Sequence, residues 1–388
     1  MQNSVIRVGL FCRVLPQYRL AIYERLAKQP GIDLTVLYSK EPPYYSLKTV
    51  HPNGRFKAEL IPMRSWRMGN RELLYHTTAR RIISSGRFDV VILPGNPRLL
   101  SNFPALWAAR RHGTGVVWWS LGFMANQSAI TLAIRRLLMR IPEAVVLYTE
   151  REQEHFLRAG IPEDKVFVAQ NTIDVSGCLQ EAAKWSPDRL REFARDNGLA
   201  GKKVILYCSR LTAWKRLDLL IRALDKLPTS APEYRLLVIG AGPKEQNYRA
   251  LAAELHVDSQ IGWVGAIYGQ QQLAPWFLSA DVLVMPEALG LTIFHSFAYG
   301  LPVITCDDCK CQGPEYAAMR NGDNGLLYKR GDVDALTASI SRICADPTLR
   351  SRLSCNARQT VLTEYTPEKM VNGLVHAIRH AQGMASRK

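Results

Sequence analysis

The sequence predicts an α/β protein of two doubly wound domains, each built on a parallel sheet. Short runs rich in Val, Ile and Leu alternate with helix-length stretches along the whole chain. The alternation breaks at a polar, weakly periodic seam between Asp174 and Ala200 and then restarts. A chain of 388 residues is long for one domain and comfortable for two, each able to bury its own core. Strands that are apolar on both faces belong to parallel sheets covered by helices.

In the first half the strands are expected at Val5–Phe11, Asp33–Leu37, Val90–Leu93, Val116–Trp119, Ala144–Leu147 and Val166–Ala169. Helices are expected near Tyr18–Lys28, Asn102–Arg111 and Glu150–Ala159. The pattern restarts with strands at Val204–Cys208, Arg235–Ile239, Ile261–Val264, Val282–Met285 and Val303–Thr305. Helices from Lys215 to Leu227 and from Lys244 to Leu255 separate them, and an amphipathic helix closes the chain near Pro367–Gly383. No internal repeat and no low-complexity segment interrupts the scheme.

Composition narrows the function. A hydrophobic content of 47% with 9% aromatics is that of a folded globular protein. No apolar run reaches the ~18 residues a spanning helix needs. Arg7 and Arg13 break the first apolar run, and no small-residue cleavage site follows, so a cytoplasmic location is expected. Eight cysteines in this length do not make a disulfide scaffold. The net charge is +16, and residues 1–174 hold 24 basic and 13 acidic side chains, so the first half is expected to meet something anionic, with solubility alone as the alternative.

The most telling segment runs from Val284 to Ile304. A strand ends at Pro286 and hands Glu287 to a loop; Gly290 opens a helix that Gly300-Leu301-Pro302 closes before the next strand. Glycine lets backbone approach a ligand, and the first-turn N–H groups around Gly290, Leu291 and Thr292 favour an anion. A carboxylate beside an anion site suits a ligand with both phosphates and hydroxyls, as in a nucleotide sugar.

This segment resembles the donor-site motif of retaining, family 4-type glycosyltransferases. Their pattern is Glu, seven residues, Glu, then Ala-Met-Ala and Gly-x-Pro-Val-Ile. The chain keeps Glu287, Gly290, Leu291, Ala298, Gly300, Pro302, Val303 and Ile304, and departs at the second Glu, where His295 stands. The resemblance implies the GT-B fold, two Rossmann-like domains facing across a cleft with the C-terminal helix crossing back to the first. It implies an acceptor-binding domain over 1–180, a donor-binding domain over 200–365, and the closing helix over 366–388. The second carboxylate of the family holds the ribose; at His295 a neutral ring accepts one hydrogen bond at most, or the side chain turns into helix packing.

Further residues follow from the same resemblance. Arg210 and Lys215 flank the turn after Val204–Cys208 with the family's Arg-x4-Lys spacing, where two cations neutralise a departing diphosphate. Gly240 and Gly242, in Gly-x-Gly-Pro, are expected to line the donor pocket or simply to make a tight turn. Ile267 ends a Gly-containing turn whose backbone reads the base in the family. Gly313-Pro314-Glu315 and Asn324-Gly325-Leu326-Leu327 match its closing motif, with Glu315 expected at a helix start. Cys306, Cys309 and Cys311 crowd one loop but lack the fourth ligand of a structural zinc site, so free thiols are expected.

The first half is less legible. Asn171-Thr172-Ile173-Asp174 matches the family's Asn-x-x-Asp. Ser120 opens a loop where relatives often place a histidine. Arg13 and Arg19 flank the loop after the first strand and suit a phosphate-bearing acceptor, or are surface residues at a helix entry. Ile130, Ile134, Leu137, Leu138 and Ile141 fall on one helical face beside Arg135, Arg136 and Arg140, which fits either an anionic bilayer or an ordinary domain helix.

These readings lead to a hexosyltransferase that takes a nucleotide-diphosphate sugar as co-substrate, without metal or other cofactor. The acceptor expected is a glycan or a lipid-linked acceptor, with an anionic membrane surface as a further candidate partner for a cytoplasmic protein peripheral to the inner face of the membrane; no nucleic-acid partner is expected. Two other classes compete. A nicotinamide-dependent oxidoreductase would rest on Gly240 and Gly242 but lacks the third glycine. A non-enzymatic binder of anionic polymers or membranes would rest on charge alone.

Overall fold

The structure, a computed structural model, describes residues 5–42, 49–68, 71–121, 137–228 and 232–387. The chain divides into two compact units, Met1–Asp174 with Pro367–Lys388, and Val175–Thr366.

In the first unit the elements run β1 (Ile6–Phe11), α1 (Leu20–Ala27), β2 (Ile32–Tyr38), β3 (Lys57–Leu60), β4 (Met63–Met68), β5 (Arg71–His76), α2 (Ala79–Ser84), β6 (Val90–Pro94), α3 (Asn102–Arg111), β7 (Gly115–Trp119), β8 (Ala144–Leu147), α4 (Glu150–Arg158) and β9 (Val166–Val168). Seven strands form a parallel sheet in the order β3-β2-β1-β6-β7-β8-β9. The antiparallel hairpin β4–β5 and the edge strand β3 are additions to the sequence expectation. The hairpin strands bear charges on both faces, and β3 alternates over only four residues, so no clear pattern announces them. Helix α4 starts where its sequence says it should: Thr149 accepts from the Glu152 N–H at 3.2 Å and donates to the Glu152 carboxylate at 2.6 Å, a reciprocal cap.

The second unit begins inside the expected seam, with α5 (Ser176–Ala183) and α6 (Pro187–Asp196). Ser186 caps α6 at the Arg189 N–H, and Pro187 occupies the first turn. The apolar side of α6 is narrow: Phe193 packs edge-on against Trp185 and Trp276. That narrowness is why the stretch reads as weakly periodic. There follow β10 (Lys203–Cys208), α7 (Leu217–Asp225), β11 (Tyr234–Ile239), α8 (Glu245–Glu254), β12 (Ile261–Gly265), α9 (Gln270–Leu278), β13 (Val282–Val284), α10 (Thr292–Ala298), β14 (Val303–Cys306), β15 (Gly325–Tyr328), α11 (Val333–Ala345) and α12 (Pro347–Thr363). The parallel sheet order is β12-β11-β10-β13-β14-β15, the doubly wound arrangement with its reversal between β10 and β13.

The last helix, α13 (Pro367–Ala385), belongs to the first unit. Met370, Val371, Leu374, Ala377, Ile378 and Ala381 are buried along one face, in the core shared with β1, β6, β7 and β8. Glycines set the close fit. A Cβ on Gly373 would stand 2.1 Å from the Val168 carbonyl oxygen, and one on Gly115 would stand 2.6 Å from that of Ala381. Among the described residues no helix is long and apolar enough to cross a membrane. Most of the proposed basic membrane helix, including Ile130, Ile134, Arg135 and Arg136, lies outside the described residues.

Candidate active site

In an open parallel sheet, ligands sit beyond the strand ends where the strand order reverses. In the second unit that point lies between β10 and β13, paired at Ile205 with Val282 and at Leu206 with Leu283. The loop after β10 carries Arg210 and Lys215; the loop after β13 carries Glu287. Residues far apart in sequence meet here because adjacent strands end side by side.

The Arg210 loop is clamped from β11. Leu211 N–H donates to the Ala241 carbonyl at 3.0 Å, and Lys244 N–H donates to that of Leu211 at 3.1 Å. Gly240 and Gly242 make this approach sterically feasible. A Cβ on Gly240 would lie 1.9 Å from the Ser209 carbonyl oxygen, and one on Gly242 would lie 2.4 Å from that of Leu211. Each glycine therefore acts on the loop that presents Arg210, whatever it also offers a ligand. Arg210 itself is exposed.

Lys215 closes a 3-10 turn, and its ammonium donates to the Ala288 carbonyl in the Glu287 loop. That carbonyl is aimed by an unusual backbone, since Ala288 has φ +54°. Gly290 is next in line: a Cβ there would stand 3.8 Å from Lys215 Nζ. Burial lowers the Lys215 pKa to about 8, with Glu315 opposing that shift and Arg210 adding to it. Glu315, expected only as a helix-start residue, is buried in the first turn of the 3-10 helix Pro314–Ala318 and faces Lys215 electrostatically.

Glu287 is 4% exposed. Arg330 grips it bidentately through one edge of the guanidinium, Nε donating to Oε1 at 3.0 Å and Nη2 donating to Oε2 at 2.9 Å. Arg330 also donates through Nη1 to Asp308 at 2.9 Å. Arg216 stands 3.7 Å from Glu287 Oε1 and is itself paired with Asp218 at 2.9 Å. A bidentate guanidinium pair fixes the plane of a carboxylate as well as its charge. Sequence reasoning missed Arg330 and Asp308. In the chain they stand in polar turns that read as surface, and nothing local ties them to Glu287.

The cysteine loop braces the same segment. Gln312 donates to Thr305 Oγ1 at 2.9 Å and accepts from the Leu289 N–H at 2.7 Å, while Gly313 N–H donates to the Leu289 carbonyl at 3.0 Å. Cys306 and Cys311 are free thiols with sulfurs 3.2 Å apart, and Cys309 is free as well. Among the described residues no three His, Cys, Asp or Glu side chains are arranged to hold a metal ion.

Other expected positions fall differently. Leu291 and Thr292 start the seven-residue α10, whose first bonds are Ile293 N–H to the Gly290 carbonyl and Phe294 N–H to that of Leu291, each 3.1 Å. Ile267 is half-buried in the turn after β12. The His295 ring takes the helix-packing alternative on its Nδ1 side, which lies 3.1 Å from Gln270 Nε2 and 3.3 Å from Cys178 Sγ. Burial lowers its pKa to about 4.

In the first unit the two arginines are spent internally. Arg19, expected at a helix entry facing an acceptor, is 6% exposed. It donates to Asn171 Oδ1 at 2.5 Å and to Met370 Sδ at 3.2 Å, with the rings of Tyr18, Trp119 and Tyr148 within 5.7 Å of its guanidinium carbon. The enclosed charge corrects the alternative of a surface residue at a helix entry. Arg13 is paired with Glu72 of the β4–β5 hairpin. Ser120 is buried and donates to the Gly95 carbonyl at 3.4 Å.

Comparison with known proteins agrees with this architecture. Residues 16–172 match the glycosyl transferase 4-like domain and residues 190–360 match glycosyl transferases group 1. The chain belongs to the glycosyltransferases, of the family 4 type with the GT-B fold. It is 29% identical over 182 residues to the lipopolysaccharide core biosynthesis glycosyltransferase LpsE of Rhizobium meliloti, a match covering 46% of this chain and 50% of that one. It is 24% identical over 320 residues to the putative glycosyltransferase EpsD of Bacillus subtilis, covering 78% and 79%. The chain spans about half the length of the first curated relatives it matches. Among solved structures, Anabaena HepE in complex with UDP superposes with a TM-score of 0.75 at 16% identity, over 97% of this chain and all of that one. A glycosyltransferase from Rickettsia africae gives the same TM-score and identity, covering 97% and 98%.

Proposed function

We propose that the protein transfers a hexose from a nucleotide-diphosphate sugar to a hydroxyl of a glycan or lipid-linked acceptor, with retention of anomeric configuration, in surface polysaccharide or glycolipid synthesis. One observation carries the reading: Arg210, Lys215 and the Glu287 loop converge where the strand order of the second unit reverses. The diphosphate lies against Arg210 and Lys215, which take up the charge that develops as the glycosidic bond breaks. Glu287 accepts hydrogen bonds from sugar hydroxyls. Arg330 occupies one lone-pair direction on each carboxylate oxygen, and an ionised carboxylate has about four, so acceptor capacity remains. The leaving diphosphate assists deprotonation of the acceptor on the same face, and no second carboxylate is asked to act as a glycosidase nucleophile.

Names among the relatives support this class. One is a GDP-mannose-dependent phosphatidylinositol monomannoside mannosyltransferase, and HepE was crystallised with UDP-glucose. The test is a thermal-shift screen against UDP-, GDP- and dTDP-sugars. A ligand at ~100 times its dissociation constant adds about 2.7 kcal/mol, well within detection. Donor hydrolysis or transfer is then followed by NMR at the anomeric proton. Stabilisation by none of these donors removes the reading, and an inverted product removes retention.

A further inference from the structure

We infer that the outer face of α2 and α3 is a docking surface for an anionic lipid bilayer. This stands apart from the donor site. On α3, Phe103, Trp107, Arg110 and Arg111 recur at helical spacing as one exposed stripe, with Trp107 54% and Phe103 45% accessible. Helix α2, packed beside it, adds exposed Arg80 and Arg81. The guanidinium carbons of Arg80 and Arg111 lie 5.0 and 5.7 Å from the Trp107 ring centroid, so the larger aromatic of this stripe is bracketed by cations.

Several basic side chains of the same unit are neutralised by carboxylates. Arg7 is paired with Asp89, Lys57 with Asp33, Arg55 with Glu24 and Arg87 with Glu59. Among the described residues Arg80, Arg81, Arg110 and Arg111 have no carboxylate partner. Neither helix contains an acidic residue. Between Glu72 and Glu143 the sequence holds nine arginines and one acid, Asp89, which is paired at the start of β6. Clustered cations without carboxylates raise a positive potential that attracts an anionic surface, and an aromatic stripe among them adds an apolar patch for the same surface. The headgroup region of an acidic membrane offers both at one depth: phosphates for the guanidiniums and an interface where Trp and Phe rings insert. A soluble polyanion satisfies the arginines but leaves Trp107 and Phe103 in water.

The full chain is sedimented with phosphatidylglycerol vesicles and with phosphatidylcholine vesicles, over a range of salt. Expected is binding to the first, weak or no binding to the second, and loss of binding as salt rises. Arg80→Gln/Arg110→Gln/Arg111→Gln should lower vesicle binding at least ~10-fold, since each basic group near an acidic surface contributes about a factor of five. Phe103→Ser/Trp107→Ser keeps the charge and should also weaken binding, more so at high salt. The control Arg189→Gln/Arg191→Gln/Arg195→Gln, on α6, makes the same change in net charge and should bind within about twofold of wild type. Unfolding midpoints establish that each variant is folded. The proposal is overturned if wild type ignores phosphatidylglycerol, if the α2–α3 and control variants behave alike, or if heparin is bound through these arginines while vesicles are not.

Discussion

Arg330 closes the Nε–Nη2 edge of its guanidinium on both oxygens of the Glu287 carboxylate, across 43 residues of sequence. The acid is buried and the base half-exposed, so the pair holds a carboxylate in place at the end of β13. Losing either partner has different consequences.

Glu287→Gln should fold, because an amide oxygen can still accept from Arg330, yet lose transfer by at least ~100-fold, the scale of removing one positioned polar group. Steady-state kinetics beside an unfolding curve checks this. Turnover at the wild-type rate would take away the central residue of the reading.

Arg330→Gln leaves a buried carboxylate with Arg216, at 3.7 Å, as its remaining cation among the described residues. Stability should drop by about 1–2 kcal/mol, less than the ~3–5 kcal/mol of a fully buried broken pair because Arg330 is half-exposed. Arg330→Lys restores charge without the bidentate fork and should recover stability better than kcat. Equal recovery of both would mean that orientation of Glu287 does not matter.

Lys215 gives a pH dependence with a definite sign. Burial places its pKa at about 8, and a bound diphosphate favours the ammonium. Nucleoside diphosphate affinity should therefore be full below pH 8 and decline as pH rises through that value, with proton uptake on binding. Calorimetry in buffers of different ionisation enthalpy measures the uptake. Arg210→Ala should weaken affinity while keeping the pH dependence, and Lys215→Ala should abolish it. A flat profile in wild type would separate Lys215 from the phosphates.

Gly242→Ala tests the clamp on the Arg210 loop. Its Cβ meets the Leu211 carbonyl oxygen at 2.4 Å and the Leu211 nitrogen at 2.8 Å, so backbone must move. We expect a loss of about 1–3 kcal/mol in stability, the usual range for overpacking, together with weaker diphosphate binding. If affinity survives, the loop's position is not what presents Arg210.

His76 and His295, one in each unit, are neutral by burial, with pKa values lowered to about 4. Their unfolded value is near ~6.5, so their stability contribution is complete above that pH and is lost as pH falls toward 4. Urea unfolding free energies from pH 7 to 4 should decline, at up to ~1.4 kcal/mol per pH unit for each ring. His295→Gln, which keeps an acceptor for Gln270, should flatten the decline. Nucleotide affinity should show no inflection from His295 near ~6.5, and a clear one that vanishes in His295→Gln would return the ring to the ribose.

The sequence by itself determined the elements and their class. Strand residues apolar on both faces and the restart of the pattern after Asp174 made two parallel-sheet units legible, because burial patterns are written locally. It also placed Glu287, Arg210 and Lys215 at strand ends, where a parallel sheet offers its ligand sites. Tertiary structure decided the partners of those groups. Arg330 and Asp308 come from turns that look like solvated surface until β13, β14 and β15 lie side by side. Arg19 reads as a surface cation until Trp119, Tyr148 and Asn171 surround it. Strand ends and helix faces follow from neighbours in sequence, whereas which charge meets which carboxylate depends on strand order, a relation between residues that no local spacing contains.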